Sequence, residues 1–242
     1  MTAPIYVLPD IHGQIAMLDH ALDLVRADGG AGARIVFLGD YVDRGPDSRA
    51  VLQRLIDGCA AGRDWTCLKG NHDRMFQRFA TDGTRHDARI MSGKSWLDPP
   101  LGGRATLASY GVEVPDSAAP DAIWHAASAA VPAAHLDFLA GLPLYLKTPD
   151  LLCVHAGVLP GVPPEDQAED DLLWIREPFL SDPRDHDRLV VHGHTALQTP
   201  QHHGNRVNLD GGAGYGRPLC PAVFEGRACW LLSDRGRVPL LP

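Results

Sequence analysis

Five short clusters of polar residues in this sequence carry the donor types that bind divalent metal ions. They are PDIHG (9–13), GDYVDRG (39–45), GNHD (70–73), HAG (155–157) and VHGHT (191–195). Carboxylate oxygens, imidazole nitrogens and an amide oxygen favour Mn, Fe or Zn over a soft, thiolate-bound metal. The donors outnumber the ligands of one tetrahedral site. Two ions about 3.5–4 Å apart are the usual arrangement for hydrolytic displacement at phosphorus, so the clusters indicate phosphoester chemistry.

Each cluster begins where a short apolar run stops. IYVL (5–8), RIVFLG (34–39) and WTCLKG (65–70) predict strands, and the segments that follow predict helices over 14–30, over 47–62 and from Asn71 onwards. This βαβαβ order is typical of a parallel sheet with helices on its faces. Because ligands of open α/β sheets bind at the C-terminal ends of the strands, we expect the clusters to meet at one edge.

The rest of the chain predicts a second group of strands behind a helical middle. Residues 81–141 predict short helices with loops, and six strands follow: 142–147, 151–157, 188–194, 205–212, 222–226 and 228–234. We therefore predict an α/β fold with two packed mixed β-sheets flanked by helices and the active site at strand C-terminal ends. We also expect residues 1–242 to form a single catalytic domain.

Composition limits the class of partner. The chain of 242 residues has a net charge of -8, which argues against a nucleic-acid backbone or an anionic membrane. The five cysteines form no CxxC pair, as expected of structural thiols in a reducing compartment. The N-terminus predicts no signal peptide, and no apolar stretch approaches the ~18 residues of a membrane span. We predict a cytoplasmic protein.

Taken in order, the five clusters resemble the signature blocks of the calcineurin-like metallophosphoesterases. GDYVDRG is more narrowly similar to the serine/threonine protein phosphatase (PPP) branch, especially its compact bacterial and phage-type members. The segment NLDGGAGYG (208–216) also resembles the part that closes the fold in bacterial members. The blocks run from Pro9 to Thr195, about three-quarters of the chain.

The resemblance implies a dinuclear metal site. One divalent ion would be held by Asp10, His12 and Asp40. The second would be held by Asp40, Asn71, His155 and His194, with Asp40 as the bridge. Mn²⁺ is the expected ion, with Fe and Zn as alternatives. A hydroxide shared by the two ions would attack phosphorus in line, because divalent ions lower the pKa of bound water.

The resemblance also implies the roles of the residues that handle the substrate. His72 would protonate the leaving oxygen and Asp43 would orient its imidazole, a contribution typically worth ~10²–10⁴-fold in rate. Arg44 and Arg176 would bind the phosphate oxygens together with Asn71, since a guanidinium matches phosphate geometry better than a lysine does.

Three features depart from the pattern or extend it. Pro9 stands where many members have Gly, and its fixed φ predicts a slightly altered first loop. Ala196 replaces the later His of the GHxH block, which the phosphatase branch also lacks. Residues 91–111 (MSGKSWLDPPLGGRATLASYG) resemble a segment over the catalytic face of bacterial members. They would either shape the substrate site or form a plain helical cap.

Three functions are compatible with these residues. The first is a serine/threonine protein phosphatase, with possible dual specificity for phosphotyrosine, acting on phosphorylated proteins or small phosphoesters. The second is a dinucleoside polyphosphate hydrolase of the diadenosine-tetraphosphate type. Such enzymes often have Ala where Asp43 stands, which favours the phosphatase. The third is a non-catalytic pseudophosphatase that binds phosphate or a partner. The presence of every predicted metal ligand argues against this third function.

Overall fold

The computed structural model describes residues 3–242, in which eleven strands and seven α-helices are found. The strands are β1 (Ile5–Leu8), β2 (Arg34–Phe37), β3 (Trp65–Cys67), β4 (Tyr145–Lys147), β5 (Leu151–Val154), β6 (Leu189–His192), β7 (Gln201–His202), β8 (Arg206–Asn208), β9 (Ala222–Glu225), β10 (Ala228–Ser233) and β11 (Gly236–Pro239). The helices are α1 (Ile15–Gly29), α2 (Ser48–Ala60), α3 (Asn71–Asp82), α4 (Gly103–Ser109), α5 (Pro120–Ala130), α6 (Ala133–Ala140) and α7 (Glu169–Trp174).

The strands form two mixed sheets, as the sequence predicts. The first has the order β11-β10-β9-β1-β2-β3 and the second has the order β4-β5-β6-β8-β7. Strands β1, β2 and β3 are parallel, and β9 joins them antiparallel to β1. In the second sheet β5, β6 and β8 are parallel. The parallel strands of each sheet therefore present their C-terminal ends in a common direction.

Side-chain alternation places one core between the sheets and two outside them. Val7 and Val36 of the first sheet pack with Val191 and Val207 of the second. On the other face of the first sheet, the neighbouring residues of β1 and β2 join the cluster that contains the buried stripes of α1 and α2. A third cluster covers the outer face of the second sheet with residues of α7 and Phe179. The predicted sandwich flanked by helices is confirmed.

Several element boundaries differ from the sequence prediction. Most strands end one to four residues early, because the polar clusters leave the sheet as soon as the apolar run ends. In β2, for example, Gly39 has φ +100°, a conformation that stops the strand before Asp40. Strands β7 and β11 are not predicted from the sequence.

No helix among residues 3–242 has both the length and the apolar character needed to cross a membrane. All five cysteines are free thiols, and Cys67, Cys153 and Cys229 are buried.

Candidate active site

Two groups of potential metal ligands lie where the C-terminal ends of strands from both sheets converge. His12, Asp40 and His72 form one group, and Asp40, His155 and His194 form the other. Within each group the candidate ligand atoms are all within 4.8 Å of one another. Asp40 belongs to both groups and is 2% exposed. The structure thus gives Asp40 the central position that a bridging carboxylate requires.

The loop after β1 is fastened to the loop after β2 by backbone hydrogen bonds. The backbone N–H groups of Ile11 and His12 donate to the carbonyl oxygen of Asp40 at 3.0 and 2.8 Å. Gly13 N–H donates to the carbonyl oxygen of Tyr41 at 2.8 Å. Pro9 does not keep this loop from the site, since Asp10 and His12 are both buried there.

The loops after β2 and β3 touch through two glycines. A side chain on Gly39 would collide with the backbone of Gly70, and a side chain on Gly70 would collide with Asp40. This close approach allows His72 N–H to donate to Asp40 Oδ1 at 2.9 Å. The glycines of GDYVDRG and GNHD are therefore needed for contact between the two loops.

Backbone strain is concentrated at this site. Six residues other than glycine have positive φ in the part of the chain described, and five of them belong to the predicted site: His12, Asp40, Asp43, Arg44 and His194. A left-handed conformation costs free energy for such residues and persists where the surrounding contacts enforce it. The cluster of strained residues supports a functional role for these loop ends.

The imidazole of His155 is oriented as a metal ligand would be. Its Nδ1 lies 2.9 Å from the carbonyl oxygen of Leu38, which can only accept, so Nδ1 carries the proton and Nε2 has a free lone pair. That Nε2 lies 2.9 Å from Asn71 Oδ1 and 3.5 Å from Asp40 Oδ1. Three atoms that accept hydrogen bonds therefore converge, an arrangement that a cation stabilises.

His194, two residues after the end of β6, contributes the same kind of contact. Its Nδ1 lies 2.9 Å from Asn71 Oδ1, and its buried Nε2 has no hydrogen-bond partner among residues 3–242. The predicted ligands Asn71, His155 and His194 are thus brought together around one point. These residues fit a divalent ion.

His12 has a comparable orientation on the other side of Asp40. Its Nδ1 lies 2.8 Å from the carbonyl oxygen of Val42, which leaves Nε2 to face the centre of the site. Arg44 contacts Nε2 of His12 and lies 3.1 Å from Nε2 of His72. The acceptor nitrogens of both rings therefore point to a common position beside Asp40.

Asp10 is buried but has a different immediate partner. Both of its carboxylate oxygens lie 3.1 Å from the backbone N–H of His194, and Gly193 has no side chain to obstruct this approach. The ligand atoms within 4.8 Å of one another on this side of Asp40 are those of His12 and His72, not of Asp10. Its role as a ligand stays a prediction.

The electrostatics of the site favour a bound cation. Burial and the Asp210 carboxylate raise the pKa of Asp10, and burial and the Asp73 carboxylate raise the pKa of Asp40. Burial lowers the pKa of His155 to about 3, so this ring is neutral. A divalent ion would stabilise ionised carboxylates beside neutral imidazoles.

His72 and Asp43 form the predicted pair. His72 Nδ1 lies 2.6 Å from Asp43 Oδ2. Burial raises the pKa of Asp43 to about 7, while hydrogen bonds from Thr106 and Trp96 oppose this shift. Trp96 Nε1–H donates to Oδ2 at 2.7 Å and the Thr106 hydroxyl donates to Oδ1 at 2.6 Å. These donors stabilise the ionised carboxylate that orients His72.

Residues 91–111 therefore have a role that neither of the two sequence interpretations contained. Trp96 and Thr106 come from this segment and bind Asp43 directly, while Met91 and Leu101 line the cavity beside His72. The segment includes α4 and packs Trp96 against Phe79 with ring centroids 4.8 Å apart. It holds the pair in position as well as bordering the site.

Two cavities flank the metal-ligand groups. One of about 330 Å³ is bordered by Asn71, His72 and Trp174, and the other, of about 460 Å³, is bordered by Asp210 and Tyr215. Arg44, Arg176 and His194 border both cavities. The two predicted phosphate-binding arginines thus lie where the cavities meet.

Three further residues clarify the limits of the sequence prediction. Asp210 was not predicted, although it follows β8 just as Asp10 follows β1, which is the signal that could have found it. It lies close enough to Asp10 to raise the pKa of that residue. His192 is buried against Phe179, with ring centroids 5.1 Å apart, and lies outside both ligand groups. Trp174 borders the cavity beside His72.

Comparison with known sequences identifies relatives of this chain. Residues 3–220 match the family profile described as calcineurin-like phosphoesterase. A symmetrical bis(5'-nucleosyl)-tetraphosphatase of Ralstonia nicotianae is 31% identical over 157 residues, 65% of this chain and 43% of that protein. The Paracidovorax citrulli protein of the same name is 35% identical over 161 residues, 64% of this chain and 45% of its own length. The chain spans less than half the length of these two curated relatives.

Solved structures support the architecture. A provisionally assigned diadenosine tetraphosphatase superimposes with a TM-score of 0.67 at 22% identity, covering 100% of this chain and 95% of that one. A cold-active protein-tyrosine phosphatase of a Shewanella species gives 0.66 at 16% identity, covering 100% and 81%. A serine/threonine phosphatase of Saccharomyces cerevisiae gives 0.55 at 18% identity, covering 98% and 76%. At these identities the similarity establishes the fold alone.

Proposed function

Because the chain belongs to the calcineurin-like phosphoesterase family, whose members are metallophosphoesterase hydrolases, we propose that it hydrolyses dinucleoside polyphosphates with two divalent metal ions. The sequence alone ranks a serine/threonine protein phosphatase first. Similarity to two curated tetraphosphatases over about two-thirds of the chain supports the dinucleotide alternative instead.

The observation that carries the proposal is that two adjoining cavities, and not one, lie beside the metal-ligand groups. Cavities of about 330 and 460 Å³ meet at Arg44, Arg176 and His194. A substrate whose attacked phosphorus lies in the middle of a chain needs space and positive charge on both sides of that atom. A dinucleoside tetraphosphate has this form, whereas a phosphoserine has only one phosphate.

The residues of the chain have separate tasks in the proposed reaction. Asp10, His12, Asp40, Asn71, His155 and His194 would hold the ions, with Mn²⁺ as the expected species. When bound, the ions would polarise the phosphoryl oxygens and supply a nucleophile at neutral pH. Arg44 and Arg176 bind the phosphate oxygens and keep the attacked phosphorus in place.

His72 transfers the proton to the leaving oxygen. Its Nε2 faces the site, and Asp43 accepts a hydrogen bond from its Nδ1–H at 2.6 Å. The carboxylate stabilises the charged imidazolium that must form before the proton is given up. Trp96 and Thr106 act through Asp43 as positioning residues.

The proposal is tested by comparing substrates under one set of conditions. Purified protein with excess Mn²⁺ is assayed against diadenosine tetraphosphate, a phosphoserine peptide and p-nitrophenyl phosphate. We expect kcat/KM for the dinucleotide to exceed the other two by at least about tenfold, because binding of remote phosphates contributes to the transition state. Chromatography should show nucleoside diphosphates as products.

Other outcomes contradict different parts of the proposal. A preference for the phosphopeptide would show that the proposed substrate class is wrong. It would favour the second candidate function, a protein phosphatase, which the Asp43–His72 pair supports. Absence of turnover on all three substrates, with two ions bound per chain by mass spectrometry of the metal content, would indicate a pseudophosphatase.

A further inference from the structure

The cavity of about 460 Å³ beside the metal-ligand groups contains an arginine with no role in the proposed reaction. This residue is Arg217, which lies in the loop between β8 and β9. It borders the cavity together with Arg44, Arg176 and Tyr215. Three guanidinium groups therefore surround one cavity of a chain whose net charge is -8. Such local positive charge is typical of a binding site for anions.

The Arg217 side chain is held by its own loop. Its Nε–H donates to the carbonyl oxygen of Gly211 at 2.6 Å, and its backbone N–H donates to that of Gly212 at 3.3 Å. Gly212 has φ +88°, and a side chain there would collide with the guanidinium. The loop thus fixes the stem of Arg217 and leaves the terminal nitrogens available to a ligand.

Tyr215 supports two guanidinium groups at once. The ring lies 5.1 Å from the guanidinium carbon of Arg44 and 5.5 Å from that of Arg217. Although it is large and aromatic, the residue is 60% exposed. Because arginines are attracted to the face of an aromatic ring, Tyr215 keeps the two positive groups at a defined separation.

The side chains that border the cavity have a net positive charge even when its one carboxylate is included. Asp210 borders the same cavity, but its Oδ1 accepts a hydrogen bond from Gly212 N–H at 2.8 Å. Three guanidinium groups face this single carboxylate. Because Arg44 and Arg176 also border the cavity beside His72, a chain of phosphates can extend from one cavity into the other.

We propose that Arg217, held in place by Tyr215, forms a distal phosphate subsite for the phosphates next to the one attacked. This inference rests on the proposed function and adds a specificity-determining residue to it. The planar guanidinium binds two oxygens of a phosphate at once. A polyphosphate would use this subsite and a phosphomonoester would not reach it.

The first experiment compares two substrates in variants of the subsite. In Arg217→Ala we expect kcat/KM for diadenosine tetraphosphate to fall about 10- to 100-fold further than kcat/KM for p-nitrophenyl phosphate, as expected for loss of a hydrogen bond to a charged group. Arg217→Lys should recover part of this loss. The control is Arg235→Ala, which removes an exposed arginine in the β10–β11 turn and should change neither value. Equal losses on both substrates, or none, would overturn the subsite.

A second pair of variants tests the part played by Tyr215. Tyr215→Phe retains the aromatic face and should retain the preference for the dinucleotide over p-nitrophenyl phosphate. Tyr215→Ala removes it and should show the same selective loss on the dinucleotide as Arg217→Ala. If Phe and Ala have the same effect, the ring does not hold Arg217.

Inhibition by inorganic triphosphate separates failure of the subsite from failure of the proposed function. With p-nitrophenyl phosphate as substrate and Mn²⁺ in excess, triphosphate should inhibit the wild type more strongly than it inhibits Arg217→Ala, while inorganic phosphate inhibits both equally. This result would support the subsite even if the dinucleotide were not hydrolysed, in which case only the proposed substrate would be wrong. Equal inhibition of both proteins by triphosphate would overturn the subsite whatever the dinucleotide activity.

Discussion

His72 lies in one of the two groups of potential metal ligands, but its Nδ1 is 2.6 Å from Asp43, so we assign it to proton transfer and expect its removal to leave the metal bound. We expect His72→Ala to lower kcat by about 10²–10⁴-fold, the usual contribution of a general acid. The loss should be larger for phenyl phosphate than for p-nitrophenyl phosphate, because p-nitrophenolate leaves readily without a proton. Steady-state kinetics on both esters measures this difference.

A histidine elsewhere on the surface provides the control. His125 is exposed on α5, and His125→Ala should leave kcat unchanged on both esters. The bound metal of His72→Ala should match that of the wild type. Equal losses on the two esters would show that His72 is not the proton donor.

The individual residues of the site differ in how far the sequence reveals them. Asp40, Asn71 and His155 each follow an apolar run directly, so their convergence could be predicted from the order of strands. Trp96 and Thr106 could not be assigned, because they lie 53 and 63 positions from Asp43 in sequence. Their contact depends on how the segment after α3 folds back over the site, which no local pattern specifies.

At the scale of elements, residues 91–111 contribute both to the core and to the active site, because Trp96 packs against Phe79 and also donates a hydrogen bond to Asp43. Trp96→Phe retains the aromatic contact with Phe79 and removes the Nε1–H donor to Asp43. The Asp43 carboxylate then has one hydrogen bond fewer, so its ionised form is less stable and His72 is less well oriented. We expect kcat to fall about tenfold with little change in KM, in proportion to one lost charge-assisted hydrogen bond.

A matched substitution on the same segment distinguishes loss of His72 orientation from a general loss of core packing. Leu97→Met alters a buried neighbour without touching Asp43, and we expect it to leave kcat near that of the wild type. Circular dichroism melts of both variants would show whether stability is affected. A normal kcat in Trp96→Phe would contradict the positioning role.

Asp73 connects the start of α3 to the loop after β2. Its carboxylate accepts hydrogen bonds from the backbone N–H groups of Gly70, Asp40 and Tyr41 at 2.9, 2.8 and 2.9 Å. This carboxylate therefore caps the start of α3 and also binds the loop after β2. Asp73→Ala would leave three buried donors without acceptors, so we expect the free energy of unfolding to fall by about 3–5 kcal/mol.

The last residue of α3 is the appropriate comparison. Asp82 is exposed and accepts one hydrogen bond, from Thr84 N–H at 2.9 Å. Asp82→Ala should cost about 0.5–1 kcal/mol, as surface substitutions at a single hydrogen bond usually do. Urea denaturation of the two variants measures both values. Equal destabilisation would show that Asp73 is no more than an ordinary helix cap.

Neither of the two strands that the sequence does not predict contains a run of consecutive apolar residues. Strand β7 has two residues and no apolar run. Strand β11 pairs with β10 at the edge of the first sheet, and its Arg237 binds Asp28 and Glu225 at 2.8 and 2.6 Å. Asp28 is 209 positions away along the chain. The apolar strands β1, β2, β5 and β6 carry their own signal and were predicted.

At the scale of the whole molecule, the site is assembled from both sheets. Asp40 and Asn71 follow strands of the first sheet, while His155 and His194 follow strands of the second. A metal ion bound between them would connect the two layers of the sandwich. Metal binding should therefore change global stability and not only activity, because the ions bind the folded chain and have no comparable site in the unfolded one.

This coupling predicts that addition of metal reverses the order of thermal stability of the wild type and Asp40→Asn. Without metal, burial and the Asp73 carboxylate disfavour the charged form of Asp40, whereas an asparagine can still accept the hydrogen bond from His72 N–H. We therefore expect metal-free Asp40→Asn to melt at the same temperature as the EDTA-treated wild type or higher. With Mn²⁺ at about 100 times its dissociation constant, the wild type should gain about 2.7 kcal/mol per site, or roughly 5–10 °C.

The variant should gain much less from Mn²⁺, because it has lost the carboxylate that lies in both ligand groups. Asp121→Asn, on the exposed first turn of α5, controls for loss of one negative charge and should follow the wild type under both conditions. Differential scanning fluorimetry across a Mn²⁺ titration measures the crossing of the two melting curves. If Asp40→Asn is stabilised by Mn²⁺ as much as the wild type, Asp40 does not hold the metal, and the two sheets are not joined through it.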